Sequence, residues 1–109
     1  MKLNLISAVA SVSHELVRNS MEIMEILINH IEKIYGSHSL ELSTVYFYTA
    51  NYLNFLNQPN KAFACFLKAA KLRGAKCSTS YYNAGIISLD SKNYSLALDV
   101  LLLALNSLS

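Results

Sequence analysis

The sequence has few of the residues that interrupt helices. It contains three glycines, one proline, two cysteines and no tryptophan among 109 residues. Because glycine and proline are the strongest breakers of regular structure, their scarcity favours helices joined by short turns. A chain of this length forms one domain at most, so residues 1–109 are expected to fold as a single unit.

The same scarcity excludes several kinds of catalytic and cofactor site. The glycines, at positions 36, 74 and 85, are too far apart for a glycine-rich phosphate-binding loop. Cys65 and Cys77 have no nearby Cys or His that would complete a metal site or activate a thiolate. The three histidines lack carboxylates at the spacing of a metal site or proton relay. We expect no cofactor and no metal, and an enzyme is the most distant alternative.

Long apolar runs are also absent. Val100–Leu105 is strongly apolar but far shorter than the roughly 20 residues that span a bilayer. Residues 3–12 resemble a signal peptide, but Asn4, Ser7 and Ser11 interrupt them. We expect a cytoplasmic protein with reduced thiols, with secretion as the alternative. The net charge of +2 is too small to indicate nucleic acid.

Small and large apolar residues recur at fixed spacing along the chain. In residues 78–109 the small residues Gly85, Ala97 and Ala104 mark places where two helices approach closely, and Leu101 fills the space between them. Moving back 35 residues gives Ala50, Ala62, Ala69 and Phe66. A further 42 residues back from Ala50 lie Ala8 and the second-helix positions Ser20, Met24 and Leu27. The spacing therefore predicts three antiparallel helix pairs, over about residues 2–36, 43–76 and 78–109.

Local signals place the predicted helix ends. Asn19 can cap a helix that opens at Ser20, so the first pair is expected to turn there. Gly36 and Gly74 are expected to stop helices in the left-handed conformation. Pro59 fits the first turn of a helix. The second helix of the first pair is predicted to bury an apolar face of Ile23, Ile26, Leu27, Ile31 and Ile34.

The pattern of Tyr81, Ala84–Gly85, Ala97, Leu101 and Ala104 resembles a tetratricopeptide repeat. The step from Gly36 to Ala50, with a histidine after the glycine, is similar to the longer repeat of the kinesin light chain type. The resemblance implies an all-α, right-handed superhelical solenoid. A compact helical bundle is the alternative, but a bundle has no reason to repeat its small residues.

The resemblance also implies a function and a location for it. Such repeats are protein-interaction scaffolds that bind a protein or peptide in a concave groove. The competing interpretation is a structural subunit packed permanently in a larger assembly, such as a ciliary, axonemal or motor-adaptor complex. The expected location is the cytoplasm, including cytoskeleton or cilium. Mapping the repeat onto this chain gives the groove residues Leu5, Val9, Val12, Phe47, Asn51, Asn54, Tyr82, Ile86 and Leu89.

Charge is unevenly distributed, with no acidic residue between Leu42 and Leu89. Lys61, Lys68 and Lys71 form a basic stripe there at helical spacing. The stripe is either a solvated helix face or a docking patch for an acidic partner. RNA is less favoured because the aromatic residues of this segment are spaced as core. The acidic residues gather elsewhere, at Glu22, Glu25, Glu32 and Glu41.

The last predicted helix is apolar nearly all the way round. Leu102, Leu103 and Leu105 cannot all be buried by the helix's own partner and the preceding pair. A helix that is hydrophobic on every side is normally covered on every side. We therefore predict a terminal interface there, covered by another chain, a second copy or further sequence.

Overall fold

The computed structural model describes the backbone of residues 2–108 and the side chains of residues 14–108. Over this range the chain forms five α-helices and no strand, and each helix packs against the next. The prediction of an all-α fold is confirmed. The helices are α1 (Lys2–Tyr35), α2 (Leu40–Phe55), α3 (Pro59–Lys71), α4 (Cys77–Asp90) and α5 (Tyr94–Asn106).

The predicted turn at Asn19–Ser20 is wrong, because α1 runs through it without a break. Neither glycine nor proline occurs between residues 2 and 35, so nothing forces the backbone out of the helix. Thirty-four helical residues span about 51 Å, close to the longest dimension of 55 Å. The first predicted helix pair is therefore one long helix.

This continuity explains which side of α1 is buried. Val17 is buried, Met21 packs against the core, and Met24 accepts a hydrogen bond at Sδ from the Thr49 hydroxyl at 2.8 Å. Ile23, Ile26, Leu27 and Ile34, predicted to be inward, are 38–70% exposed. In the predicted pair the preceding helix would have folded back over them. In a straight helix nothing in the described chain covers that side.

The helix ends follow local sequence signals, and two of these ends agree with the predictions from the sequence. Gly36 adopts φ +96° and its N–H donates to Glu32 O at 2.8 Å, which confirms the left-handed stop. α2 begins at Leu40, three or four residues before the predicted start at Ser43 or Thr44, because the Ser39 hydroxyl caps it by accepting the Leu42 N–H at 3.1 Å. Pro59 opens α3 as predicted.

The turn after α3 differs from the prediction in a way that changes the role of Gly74. Arg73, not Gly74, takes the left-handed conformation, with φ 55°. A Cβ on Gly74 would lie 2.8 Å from Ser43 Oγ, so the glycine allows the backbone to approach α2. Gly74 is thus required for packing, and the helix stop lies one residue earlier.

The hairpin α2–α3 and the hairpin α4–α5 repeat each other 35 residues apart. Asn57 and Lys92 both take positive φ, at 60° and 62°. The turn bonds also match, since Gln58 N–H donates to Leu53 O and Asn93 N–H to Ser88 O, both at 2.9 Å. α3 and α5 begin and end at equivalent residues. The 35-residue spacing read from the sequence is therefore also a spacing of backbone geometry.

Two serines hold the hairpins together at equivalent places. Ser43 Oγ donates to Ala69 O at 2.8 Å, and Ser78 Oγ donates to Ala104 O at 3.0 Å. Each serine lies near the start of one helix and each carbonyl near the end of the next, so both hairpins are antiparallel. Carbonyls in the last turn of a helix lack intrahelical donors, and these hydroxyls supply one.

The core lies along the contact between the two hairpins. The Phe47 and Phe66 rings meet edge to face with centroids 5.9 Å apart. Gly85 allows close approach in the second hairpin, because a Cβ on it would lie 2.5 Å from Leu101 Cδ2. The buried cluster consists of Phe47, Ala50, Leu53, Ala62, Phe66, Ala69, Ala84, Ile87 and Val100.

Candidate functional site

Surfaces, rather than buried chemistry, are the candidate sites of this protein. Among the described residues, no group of three or more His, Cys, Asp or Glu side chains could hold a metal ion. None of the five described helices combines the length and apolarity needed to cross a membrane. The Cys65 thiol has its pKa raised by burial, an effect that Lys68 only partly offsets, so it is not activated as a nucleophile.

The predicted groove residues divide between surface and core. Asn51, Asn54, Tyr82 and Leu89 are exposed and Ile86 is partly exposed. Phe47 is 7% exposed and belongs to the core, because the 35-residue repeat places a covering helix over it. Phe47 is thus a packing residue and does not line an open groove. The side chains of Leu5, Val9 and Val12 lie outside the described residues.

Tyr82 lies beside the C-terminal helix, which joins one predicted groove residue to the predicted terminal interface. Tyr82 and the predicted interface residue Leu105 both border an open groove of about 360 Å³ between α4 and the end of α5. Its lining residues are Ser78, Thr79, Tyr82, Leu101, Ala104, Leu105 and Leu108.

Leucines at helical spacing extend this groove along one side of α5. They recur at intervals of three or four residues, which places them on one side of the helix. Leu98, Leu102, Leu105 and Leu108 are 48–71% exposed, and Leu101 is partly buried. We call this surface the terminal leucine face: Tyr82, Leu98, Leu101, Leu102, Leu105 and Leu108.

Leu103 was predicted to share this interface but lies apart from it. It borders a different groove of about 460 Å³, together with Arg73 and Tyr81. Each helical residue turns by about 100°, so Leu103 lies about 100° from Leu102 and about 160° from Leu105 around the helix axis. Leu102 and Leu105 belong to the terminal leucine face and Leu103 does not.

The first hairpin contains an equivalent of this face, and there it is covered. Phe47, equivalent to Tyr82, is 7% exposed, whereas Tyr82 is 54% exposed. Ala70, equivalent to Leu105, is 1% exposed, whereas Leu105 is 62% exposed. Phe63 and Leu67, equivalent to Leu98 and Leu102, pack against the core.

α4 and the loop before it cover the first-hairpin face. Gly74 abuts Ser43, and Cys77 Sγ donates to Ala70 O at 3.1 Å. Lys76 Nζ lies 5.7 Å from the centroid of the Phe47 ring. Within the described chain, nothing occupies the corresponding place against α5.

The basic stripe lies next to acidic residues of α1. Lys61 borders a groove of about 380 Å³ together with Glu22 and Glu25. Lys68 and Lys71 border another, of about 340 Å³, together with Glu32. The acidic and basic segments that the sequence separates therefore face each other in the fold.

Lys68 makes a further contact inside this region. Its Nζ lies 5.5 Å from the centroid of the Tyr46 ring, a cation–π distance. Burial raises the pKa of Tyr46, and the nearby Glu32 carboxylate raises it further. Part of the lysine stripe is thus engaged within the chain.

Sequence reasoning missed two features of these surfaces. One is the exposed apolar side of α1, which depended on a turn that does not form. The other is the division of the α5 leucines between two grooves. The 35-residue shift contained that signal, since Leu103 is equivalent to the exposed Lys68 and Leu105 to the buried Ala70.

Comparison with known proteins gives no match: no family model, no curated protein and no solved structure matches this chain. Functional interpretation therefore depends on the internal repeat and on the surfaces described above.

Proposed function

We propose that this protein is a non-catalytic protein-interaction scaffold of the tetratricopeptide type, in which the helix pairs belong to a right-handed superhelical solenoid. The 35-residue equivalence of the two hairpins supports this proposal, because such repeats stack neighbouring units through equivalent faces. α1 takes the place of a preceding helix rather than of a complete pair.

The observation that carries the function is the exposure of the terminal leucine face. Single exposed leucines are ordinary on protein surfaces, but a contiguous apolar patch marks an interaction site. Here the patch is contiguous, and its equivalent in the first hairpin is buried by another helix. A partner protein that covers the terminal leucine face removes apolar surface from water, as α4 does at the equivalent face of the first hairpin.

A second candidate is a structural subunit packed permanently in a larger assembly. The exposed side of α1 favours it, because this second apolar surface lies on a different helix from the terminal leucine face. Obligate interfaces are larger and more apolar than transient ones. Leu16, Ile23, Leu27 and Ile34 are 38–61% exposed at spacings that share one side of α1.

The test is affinity purification from native cells, using the wild-type chain, the double variant Leu102→Lys/Leu105→Lys and the control Leu103→Lys. Leu103 is similarly exposed on the same helix, and its equivalent in the first hairpin is Lys68. We expect a stoichiometric partner that the wild type and the control retain and the double variant loses. Sedimentation of the purified complex checks its stoichiometry.

A wild-type chain that is monomeric at high concentration and retains no partner would contradict the proposal. A partner that resists exchange, and is lost only when the α1 side is also altered, would favour the structural subunit. Ile23→Lys/Leu27→Lys is the variant for that comparison, because both residues are exposed on α1.

A further inference from the structure

The occupied face of the first hairpin shows which kind of segment fits the open face of the second. We propose that the terminal leucine face binds an amphipathic helix of a partner protein with the chemistry of residues 74–87 of this chain. This inference depends on the proposed function, because it specifies the partner of that interaction surface.

The first requirement is a glycine ahead of the helix. Gly74 approaches α2 so closely that a Cβ on it would lie 2.8 Å from Ser43 Oγ and 3.1 Å from Ser43 Cβ. Ser78 is the equivalent of Ser43, and it makes the equivalent hydrogen bond to Ala104. A segment that enters beside Ser78 therefore needs a residue without a side chain at that point.

The second requirement is a cation two residues after the glycine. Lys76 Nζ lies 5.7 Å from the Phe47 ring centroid. Tyr82 replaces Phe47 in the second hairpin, and this residue is exposed. An aromatic ring attracts an ammonium or guanidinium group through its negative face. A lysine or arginine of the partner fits over Tyr82.

The third requirement is a small side chain that can donate a hydrogen bond at the first residue of the partner helix. Cys77 begins α4 and donates through Sγ to Ala70 O, which also accepts the Arg73 N–H at 3.0 Å. The equivalent carbonyl, Leu105 O, accepts the Leu108 N–H at 3.2 Å and has a second lone pair. Cys, Ser or Thr at the start of the partner helix reaches that lone pair.

The direction and the apolar side of the partner helix follow from α4. α4 begins beside Ala70, near the end of α3, and its Ile87 lies beside Phe63, near the start of α3. It therefore runs antiparallel to α3, and the partner helix runs antiparallel to α5. Its apolar residues face the five leucines, with a small residue ten positions after the glycine, as Ala84 follows Gly74.

A second copy of this chain does not supply such a segment. Its own residues 74–87 are packed in its own core, where Ala84 and Ile87 are buried. Tethering keeps them there, because a short linker gives an effective concentration of the order of millimolar. This packing excludes a second copy as the occupant of the terminal leucine face.

The test uses the peptide RGAKCSTSYYNAGIISLD, residues 73–90 of this sequence, as the probe. Its binding to the full chain is measured by fluorescence anisotropy. We expect the wild type and Leu103→Lys to bind it equally, and Leu105→Lys to weaken binding by about tenfold or more, because the lysine charge would be buried. A variant peptide with Gly74→Leu should lose binding to the wild-type chain.

Four outcomes would overturn the inference. Equal binding to the wild type and to Leu105→Lys would mean that the peptide binds elsewhere, for example by exchange with α4. Concentration-dependent dimerisation lost in Leu105→Lys would make a second copy the occupant. A native partner retained by Leu102→Lys/Leu105→Lys would leave the proposed scaffold function intact but place its interface on another surface. If neither the peptide nor any native partner binds, both proposals fail.

Discussion

Two buried serines on equivalent helices differ in their hydrogen bonding. Ser43 is 1% exposed and donates to Ala69 O, whereas Ser80 is 0% exposed and its Oγ has no partner among the described residues. Burying an unpaired hydroxyl costs about 1–3 kcal/mol, and losing a buried bond costs a similar amount. The two side chains therefore make opposite contributions to stability.

We expect Ser80→Ala to raise the free energy of unfolding by about 1 kcal/mol, helped by the higher helix propensity of alanine. Ser43→Ala is the matched control and should lower it by about 1 kcal/mol. Urea denaturation monitored by circular dichroism measures both. Equal losses in the two variants would mean that Ser80 has a hydrogen-bond partner in solution.

The Cys65 thiol gives the stability a dependence on alkaline pH. Burial raises its pKa above the ordinary value of 9.0. The folded state therefore keeps a proton that the unfolded chain releases. Stability from this group is fully present below pH 9.0 and is lost as pH rises through the raised pKa.

Cys65→Ala should therefore weaken the decrease in stability above pH 9.0. The measurement is urea denaturation at a series of pH values from about 7 to 10.5. The pKa of Tyr46 is also raised, and part of that shift comes from Cys65, so the difference between the two proteins includes the loss of this coupling. A constant difference between variant and wild type across this range would contradict the prediction.

At the scale of helices, the sequence predicts the hairpins over residues 43–76 and 78–109 well and the structure of residues 2–36 poorly. Pro59, Asn57 and the Asp90–Asn93 turn residues punctuate the hairpins, and the structure turns there. Residues 2–35 have no such signal, and Asn19 is as compatible with an exposed helical position as with a cap. The small residue at position 8 matched the repeat spacing, but spacing alone does not break a helix.

Proline at position 20 distinguishes a continuous α1 from the predicted pair. In the pair, Ser20 would be the first helical residue, where proline is tolerated. Inside a continuous helix it costs about 3 kcal/mol or more, because it removes a hydrogen bond and clashes with the preceding turn. We expect Ser20→Pro to destabilise α1 and to lower helical content measured by circular dichroism.

The matched control is Tyr94→Pro. Tyr94 opens α5 and is 64% exposed, and its equivalent in the first hairpin is Pro59. We expect this variant to melt within a few degrees of the wild type, since a change below about 1 kcal/mol shifts Tm by only that much. Similar behaviour of the two proline variants would argue for a break at residue 20.

Close helix crossings give a second prediction at this scale. Ala97 and its equivalent Ala62 are both buried. Adding three heavy atoms at such a crossing forces side chains or backbone apart, so Ala97→Leu should cost about 1–3 kcal/mol. Ala64→Leu, at an exposed position of α3, is the control and should change little. An unchanged Tm in Ala97→Leu would contradict the observed packing.

At the scale of the whole molecule, charge links α1 to the hairpins. The sequence showed separate acidic and basic segments but could not show that they meet, because the direction of α1 depends on a turn that does not form. Once α1 is straight and antiparallel to α2, Glu22 and Glu25 lie at the groove that Lys61 borders. The stripe predicted to dock an acidic partner therefore has acidic neighbours in its own chain.

A charge-reversal cycle tests whether these neighbours are energetically coupled. Lys61→Glu places a third carboxylate at the groove of Glu22 and Glu25 and should lower the free energy of unfolding by about 0.2–1 kcal/mol. Glu25→Lys should lower it by a similar amount, and the double variant should recover most of the loss, because opposite charges face each other again. Added salt should shrink all three differences, since exposed charges are screened. Urea denaturation at low and high salt measures the cycle. If the two single losses simply add in the double variant, α1 does not neutralise Lys61, and the stripe remains available to an acidic partner.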